Sequence, residues 1–155
     1  MSPLTYRCVP FAALTLVELY AVLQLRQAVF VVEQDCPYLD ADDKDQASHH
    51  VLGEAADGTL HAYTRLVPRG ISYADYPSIG RVLTSARARG RGEGYRLMQF
   101  SIAAYTELFG AATLKISAQS HLQPFYNKLG FRTVGTGYLE DGIPHVAMIR
   151  KVPVE

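Results

Sequence analysis

Six residues between a predicted strand and a predicted helix carry the strongest chemical signal in this chain. They are Arg-Gly-Arg-Gly-Glu-Gly at positions 89–94, and they join the apolar run Ile79–Leu83 to the helical run Gly92–Phe109. A helix that starts after a glycine-rich turn presents unpaired backbone N–H groups and the positive end of its dipole at one point. We therefore predict an anion site here, and a diphosphate is a suitable ligand.

The glycines and arginines of this segment favour that site in different ways. Gly90, Gly92 and Gly94 lack a Cβ, so a bulky anion can approach the backbone closely. Guanidinium groups donate paired hydrogen bonds to phosphate oxygens. Four arginines lie close by in the sequence: Arg87, Arg89, Arg91 and Arg96. A mobile surface loop is the alternative interpretation, and the strand-to-helix setting favours the anion site over it.

The same segment argues against two common nucleotide motifs. No Lys-Ser or Lys-Thr pair follows Gly94, so the loop is not a Walker A motif. The glycine spacing also differs from the Gly-x-Gly-x-x-Gly of dinucleotide-binding folds. Nucleotide hydrolysis and hydride transfer therefore lose support.

Composition limits the class of protein. A length of 155 residues with 48% apolar and 19% charged residues predicts a single globular domain over residues 1–155. Lys plus Arg (15) equals Asp plus Glu (15), so the chain lacks the positive field of a nucleic-acid binder. No apolar run is long enough to span a bilayer, so no membrane partner is expected.

Cysteine and histidine usage points away from disulfides and metals. Cys8 and Cys36 do not form a Cys-x-x-Cys pair, and no secretory apolar segment begins the chain, so a cytoplasmic protein is expected. A strand would send His49 and His50 to opposite faces, and no His-Glu-x-x-His motif occurs. We therefore expect no metal site.

Hydrophobic periodicity predicts the elements of the first half. Thr15–Val29 is a predicted helix without Gly or Pro, and its apolar stripe consists of Leu16, Leu19, Tyr20, Leu23 and Phe30. The Asp-rich segment Asp35–Gln46 is a predicted loop. His49–Glu54 and Leu60–Val67 should pair as a hairpin, because Asp57-Gly58 lies between them.

The second half predicts a helix, a strand, a short helix and a final hairpin. The helix Gly92–Phe109 should end at Gly110. The later elements are a strand over Thr113–Ser117, a helix over Leu122–Leu129, and a hairpin of Phe131–Tyr138 with Val146–Lys151. The order β, α, three strands, α, β, α, two strands predicts a mixed α/β fold with a largely antiparallel sheet flanked by helices.

Two motifs in this order resemble those of the GNAT superfamily of acyl-CoA-dependent N-acetyltransferases. The first is Arg89-x-x-Gly92-x-Gly94, and the second is Phe125-Tyr126-Asn127-Lys128-Leu129-Gly130-Phe131. Two further stretches resemble the ElaA-type subfamily: Leu25–Gln34 with Tyr38, Asp40 and Asp42, and Leu139–His145. The element order matches the GNAT-like acyl-CoA N-acyltransferase fold across the whole chain.

The resemblance implies where acetyl-CoA would bind. The Arg89–Gly94 loop would hold the diphosphate, and backbone groups of Val82–Thr84 would pair with the pantetheine arm as an added strand would. In many relatives neighbouring strands separate to admit this arm. Gln119 falls where many members carry Asn. The expected cofactor-binding residues are Val82, Leu83, Thr84, Arg89, Gly90, Arg91, Gly92, Glu93, Gly94, Tyr95 and Gln119.

Acetyl transfer to an amine needs a proton acceptor for the amine and a proton donor for the leaving thiolate. In the family the donor is commonly the Tyr of the Phe-Tyr motif, which is Tyr126 here. Many relatives carry a Glu base on the strand before the loop, but that position is Gly80. Glu33 is the first candidate base, because burial at the end of an apolar helix could raise its pKa. His145 is the second, since histidine titrates near neutral pH.

Alternatives to these roles remain open at the level of sequence. Tyr126 could serve only in packing, Glu33 could pair with Arg26 or Arg65, and His145 could make a structural hydrogen bond. An acidic stretch suggests a cationic acceptor, such as a lysine side chain or a polyamine. Its members are Glu33, Asp35, Asp40, Asp42, Asp43 and Asp45.

Three functions are compatible with these residues. The first is an acetyl-CoA-dependent N-acetyltransferase that acts directly on a primary amine of a small molecule, peptide or protein, as a monomer or a homodimer. The second is an acyl-homoserine-lactone-synthase-like acyltransferase, suggested by Arg26, Phe30 and Glu33 with the Asp40/Asp42 pair, although the chain has no tryptophan. The third is a catalytically silent acyl-CoA-binding module, which the absence of the usual strand Glu keeps open.

Overall fold

The computed structural model describes residues 1–152. The strands are β1 (Thr5–Pro10), β2 (His49–Glu54), β3 (Leu60–Val67), β4 (Ser78–Thr84), β5 (Leu114–Gln119), β6 (Arg132–Glu140) and β7 (Ile143–Arg150). The α-helices are α1 (Leu16–Arg26), α2 (Glu93–Phe109) and α3 (Gln123–Asn127). Their order is the one that the sequence predicts.

The strands form two antiparallel sheets with a gap between them. One sheet has the order β1-β2-β3-β4, and the other has the order β5-β7-β6. β4 and β5 approach at their beginnings, where the N–H of Lys115 donates to the carbonyl of Pro77 at 3.1 Å. Within residues 1–152 no strand pairing joins them farther along. A cleft therefore opens between the two strands, as the resemblance implies.

The four-stranded sheet is covered on both faces. Val51 packs in a core with Leu97 and Met98 of α2, whereas its neighbour Leu52 packs in a second cluster with Val22 of α1. Successive side chains of a strand point to opposite faces, so the two helices cover opposite sides of the sheet. The α2 core continues under the second sheet through Met148. One rigid base thus supports both walls of the cleft.

The first helix differs from its prediction at both ends. Thr15 caps α1 and forms a capping box with Glu18, and a π-helical segment, Gln27–Glu33, follows Arg26. The predicted stripe is wrong at Leu16 and Tyr20, which are 87% and 71% exposed. The helix buries Val22, Arg26 and Val29 instead, because it rests on the sheet through its C-terminal half.

The remaining boundaries shift by a few residues. The predicted helix Leu122–Leu129 is confined to Gln123–Asn127 and is preceded by a 3-10 turn at Ser120–Leu122. The final hairpin extends to Glu140 and Ile143, around a turn at Asp141 and Gly142.

Cys8 and Cys36 are both free thiols. None of the helices in the described part of the chain has the length and apolar character needed to cross a membrane.

We expect Gly53→Ala to lower the free energy of unfolding by about 1–3 kcal/mol, the usual effect of overpacking a core. A Cβ at Gly53 would lie 2.7 Å from Cε1 of Tyr6 and 2.8 Å from Cβ of Ala62. Chemical denaturation measures the change. Gly80→Ala is the matched control in the same sheet, because a Cβ there meets no atom within 4 Å. Equal losses in the two variants would contradict the packing argument.

Candidate active site

The cleft between β4 and β5 gathers residues from distant parts of the chain. Residues 79–82 of β4 form one wall, and residues 116–119 of β5 form the other. Tyr126 of α3 and His145 of β7 also line the cleft. The predicted site residues Val82, Gln119, Tyr126 and His145 are therefore brought together.

The glycine-rich loop has the backbone geometry of an anion site. Gly90 and Gly92 have φ values of 79° and 78°, which glycine adopts without steric cost. Gly92 is the N-cap of α2, so the N–H groups of the first helical turn lack helical acceptors. A Cβ at Gly90 or Gly92 would meet no atom within 4 Å, which leaves open space above the loop. These features fit a diphosphate group held by backbone N–H donors.

Arg89 links this loop to the end of the N-terminal helical region. Its guanidinium donates to the carbonyl oxygen of Thr84 at 3.0 Å and pairs with the carboxylate of Glu33 at 2.7 Å. The Glu33 side chain is 42% exposed, so its expected burial is wrong. The alternative pairing with Arg26 or Arg65 is also wrong. Glu33 lies beside the predicted diphosphate loop, and its neighbour Gln34 lines the cleft in its place.

The side chains of Glu93 and Arg96 contact the start of the chain. The buried carboxylate of Glu93 accepts the backbone N–H of Leu4 at 3.2 Å and a short hydrogen bond from the Tyr6 hydroxyl. Arg96 pairs with the same carboxylate at 2.7 Å. The two side chains tie α2 to the start of the chain. The carboxylate of Glu93 is therefore engaged within the protein.

Arg91 and Tyr95, two further predicted cofactor-binding residues, have exposed side chains. Arg91 donates to the carbonyl oxygens of Met1 at 2.8 Å and Arg87 at 3.0 Å. Tyr95 is 36% exposed on the first turn of α2.

Tyr126 is a buried phenol at the edge of the cleft. Its side chain is 6% exposed and packs edge-on against Phe125 and Phe131, with ring centroids 5.0 and 5.9 Å away. Burial raises the pKa of Tyr126 to about 12, so the phenol stays protonated at neutral pH. Its hydroxyl makes no hydrogen bond to any group in residues 1–152, which leaves it able to donate to a ligand.

A polar cluster occupies the other end of the cleft, where β5, β6 and β7 meet. The Ser117 hydroxyl lies 2.6 Å from the Tyr138 hydroxyl and donates to the Glu140 carboxylate at 3.1 Å. Nε2 of His145 lies 3.3 Å from the same carboxylate. The rings of Tyr138 and His145 stack with centroids 6.3 Å apart. Sequence reasoning did not assign a role to Ser117 or Glu140.

The tautomer of His145 follows from its second contact. Nδ1 lies 2.7 Å from the carbonyl oxygen of Ile143, which only accepts hydrogen bonds, so Nδ1 carries a proton. In the neutral imidazole Nε2 then carries no proton, so it has none to donate to the Glu140 carboxylate 3.3 Å away. A proton taken up at Nε2 would create an ion pair with that carboxylate. The structural hydrogen bond and a role as base are thus compatible.

Comparisons with known proteins agree with this geometry. The family model described as acetyltransferase (GNAT) domain matches residues 37–152. This chain belongs to the GNAT acetyltransferase family. It is 43% identical to protein ElaA of Escherichia coli over 141 residues, which cover 90% of this chain and 91% of that one.

Two solved structures share the fold over nearly the full chain. An acyl-CoA N-acyltransferase from Pseudomonas aeruginosa is 44% identical with a TM-score of 0.88, over 95% of this chain and 99% of that one. The E. coli ElaA crystal structure also superposes with a TM-score of 0.88, at 39% identity over 96% of this chain and 99% of that one. The predicted resemblance to GNAT proteins of the ElaA type is confirmed, and with it an acyl-CoA-dependent acyltransferase.

The acidic stretch of this GNAT domain forms part of a closed ring of ion pairs. Each carboxylate contacts two guanidinium groups, and each guanidinium contacts two carboxylates, at N–O distances of 2.7–3.4 Å. We call this group the Arg–Asp ring. In order around the ring its members are Arg26, Asp40, Arg81, Asp42, Arg65 and Asp45. The ring is electrically balanced, with three charges of each sign.

The Arg–Asp ring corrects one prediction about the acceptor. Asp40 and Asp45 are 6% and 7% exposed, and Arg26 is fully buried. Their charges are neutralised within the protein, so these aspartates do not attract a cationic acceptor as the sequence suggested.

In residues 1–152, no group of three His, Cys, Asp or Glu side chains is arranged to hold a metal ion.

We expect the Arg–Asp ring to make the stability of the domain fall in acid. Burial alone would raise the pKa of Asp42 and Asp45, but the guanidinium groups that contact them hold both pKa values below the ordinary range. The contribution is complete above the unfolded-state pKa of about 3.9 and is lost as pH falls through the lower folded-state value.

Urea denaturation at a series of pH values measures this dependence. Asp42→Asn should lower stability at neutral pH and should weaken the loss of stability below about pH 4, because one linked carboxylate is gone. Parallel curves for the variant and the wild type would contradict the assignment.

Proposed function

We propose that this GNAT domain transfers the acetyl group of acetyl-CoA directly to a primary amine. One observation carries the proposal: β4, which leads into the glycine-rich start of α2, borders a cleft that also contains a buried phenol and a histidine–carboxylate pair. These are the groups needed to bind a diphosphate, stabilise a leaving sulfur and accept a proton from nitrogen.

The strand β4 and the loop after it would hold the cofactor. Backbone groups along Val82–Thr84 lie on the strand that borders the cleft, and the Gly90–Gly94 backbone follows after a 3-10 turn. Gln119 on the opposite wall brings a side-chain amide to the same space. Acetyl-CoA supplies a thioester whose carbonyl carbon is open to attack by an amine.

Tyr126 would act by donating a hydrogen bond to the sulfur that leaves. A thiol has a pKa of roughly 8.5, whereas burial raises the pKa of Tyr126 to about 12. Complete transfer of the phenol proton to a thiolate is therefore uphill. A hydrogen bond that strengthens as negative charge builds on sulfur is the favourable contribution.

His145 would take the proton from the attacking nitrogen. Its neutral tautomer offers the lone pair of Nε2, and the nearby carboxylate of Glu140 stabilises the imidazolium that forms. Gly80 offers no side chain for this task, although space for one exists there. We therefore prefer His145, oriented by Ile143 and Glu140, over the exposed Glu33 as the base.

The polar cluster would also receive the acceptor amine. Glu140 is 50% exposed at its side chain and lines the cleft with Asp141, so this end carries negative charge. A protonated amine would be attracted before it loses its proton. The acceptor class is thus a primary amine, free or on a peptide.

The direct test is acetyl transfer by the wild-type protein to a panel of primary amines and lysine peptides. Thiol release and the mass of the acylated amine are measured together. Equal amounts of both products support the proposal. Binding of acetyl-CoA with no acylated product from any amine would favour the catalytically silent binding module instead.

We expect Tyr126→Phe to lower kcat by roughly 10²-fold or more with a confirmed acceptor, because the donor to sulfur is lost. CoA affinity should stay within about twofold, because the ring still packs between Phe125 and Phe131. Single-turnover kinetics and calorimetric titration measure the two quantities. A wild-type single-turnover rate would assign Tyr126 to packing alone.

We expect His145→Asn to lower kcat by roughly 10²-fold, because the proposed base is lost. The Asn amide can replace Nδ1 in its bond to the Ile143 carbonyl, so the fold is kept while the Nε2 base is lost. Glu140→Gln is the companion variant and should cause a smaller loss. A wild-type kcat in His145→Asn would show that the base lies elsewhere.

A further inference from the structure

Arg81 has an unusual backbone conformation at the centre of the cleft wall. Its φ is 50°, in the left-handed region that residues with a Cβ rarely adopt. Gly80, Arg81 and Val82 all line the cleft. Strain of this kind persists only when the surroundings hold it in place.

The pairing of β4 with β3 is irregular at the same point. Tyr63 is opposite Leu83 and Arg65 is opposite Gly80, so the single residue between them on β3 faces two on β4. This is a β-bulge, and Arg81 and Val82 have no partner in the ladder. A bulge re-aims the backbone that follows it, which here is the segment that borders the cleft.

The side chain of Arg81 is held by contacts that could enforce this conformation. Its guanidinium donates to the Asp40 carboxylate at 2.8 Å and to the Asp40 carbonyl at 3.0 Å, and it lies 3.4 Å from the Asp42 carboxylate. It also lies over the Tyr38 ring at 5.6 Å. Asp40 is in turn fixed by the fully buried Arg26 at 2.8 Å.

We propose that the Arg–Asp ring is a positioning device for the cofactor-binding strand. Asp40 and Asp42 hold Arg81 in the left-handed conformation, and this sets the bulge and the backbone of Val82–Thr84. Arg81 and Asp40 are positioning residues, because they act through the strand. The proposal rests on the proposed function only in taking CoA as the ligand of that strand.

The comparison of Arg81→Gly with Arg81→Ala separates this role from ordinary ion pairing. Both variants remove the same guanidinium from the ring, but glycine adopts positive φ freely and alanine does not. We expect Arg81→Gly to keep the wild-type CoA dissociation constant within about threefold and Arg81→Ala to bind about tenfold more weakly, equal to roughly 1.4 kcal/mol. Calorimetric titration with CoA is the measurement.

Amide hydrogen exchange without CoA gives an independent measurement. Exchange over residues 82–84 should be faster in Arg81→Ala than in Arg81→Gly and the wild type. Equal exchange and equal CoA affinity in the two variants would overturn the proposal. If the wild type binds no CoA, the proposed function fails, while the exchange comparison still decides the role of the ring.

A second pair of variants covers the case in which Arg81→Ala does not fold. Asp40→Asn keeps the shape of the side chain, removes one charge of the ring, and should speed amide exchange over residues 82–84. Adding Arg81→Gly should restore slow exchange there. Glycine at position 81 adopts positive φ freely, so this conformation no longer depends on the contacts with Asp40. Exchange that stays fast in the double variant would overturn the proposal.

Discussion

The Arg–Asp ring is the interaction on which the arrangement of the cleft depends. It joins α1, the segment after it, β3 and β4 through six buried or partly buried side chains. A buried pair adds little net stability once desolvation is counted, but removal of one partner typically costs about 3–5 kcal/mol. The ring therefore specifies one arrangement of these elements. The desolvation of these charges is offset if the ring also holds a strained backbone in place. Arg81, with φ of 50°, is the strained residue in the ring.

The chemistry of the site follows from how the two sheets separate. β4 stays paired with β3 on both sides of its bulge but does not pair with β5, so residues of both strands line a common cleft. Gly92 begins α2 beyond the C-terminal end of β4, and the N–H groups of the first helical turn are the proposed donors to a diphosphate. The register of the second sheet brings His145 opposite both Gln119 and Tyr138. The buried phenol of Tyr126 lines the same cleft as His145.

The parts of the site with local sequence signals could be predicted, and those that depend on distant contacts could not. Glycine spacing and a helix start predict the anion loop, and Gly90 and Gly92 have the positive φ that favours glycine at these positions. The exposure of Glu33 could not be foreseen, because its partner Arg89 comes from a distant segment. The cluster of Ser117 and Glu140 needs the register of three strands, which single-strand patterns do not determine. Helical periodicity identified α1 but not its buried face, since Leu16 and Tyr20 extend beyond the sheet.

A second groove, formed within residues 1–152, is an alternative to the cleft between β4 and β5 as the place for the cofactor. That groove lies between α1 and the β2–β3 hairpin and is lined by apolar side chains such as Val17, Leu25 and Leu60. Amide hydrogen exchange of the wild-type protein, with and without acetyl-CoA, distinguishes the two directly. If β4 and the glycine-rich loop bind the cofactor, exchange becomes slower on binding at residues 82–84 and 90–94 and does not change at residues 17–28 or 52–60. Protection confined to the α1 groove, or no protection of β4 and the glycine-rich loop at saturating acetyl-CoA, would contradict it.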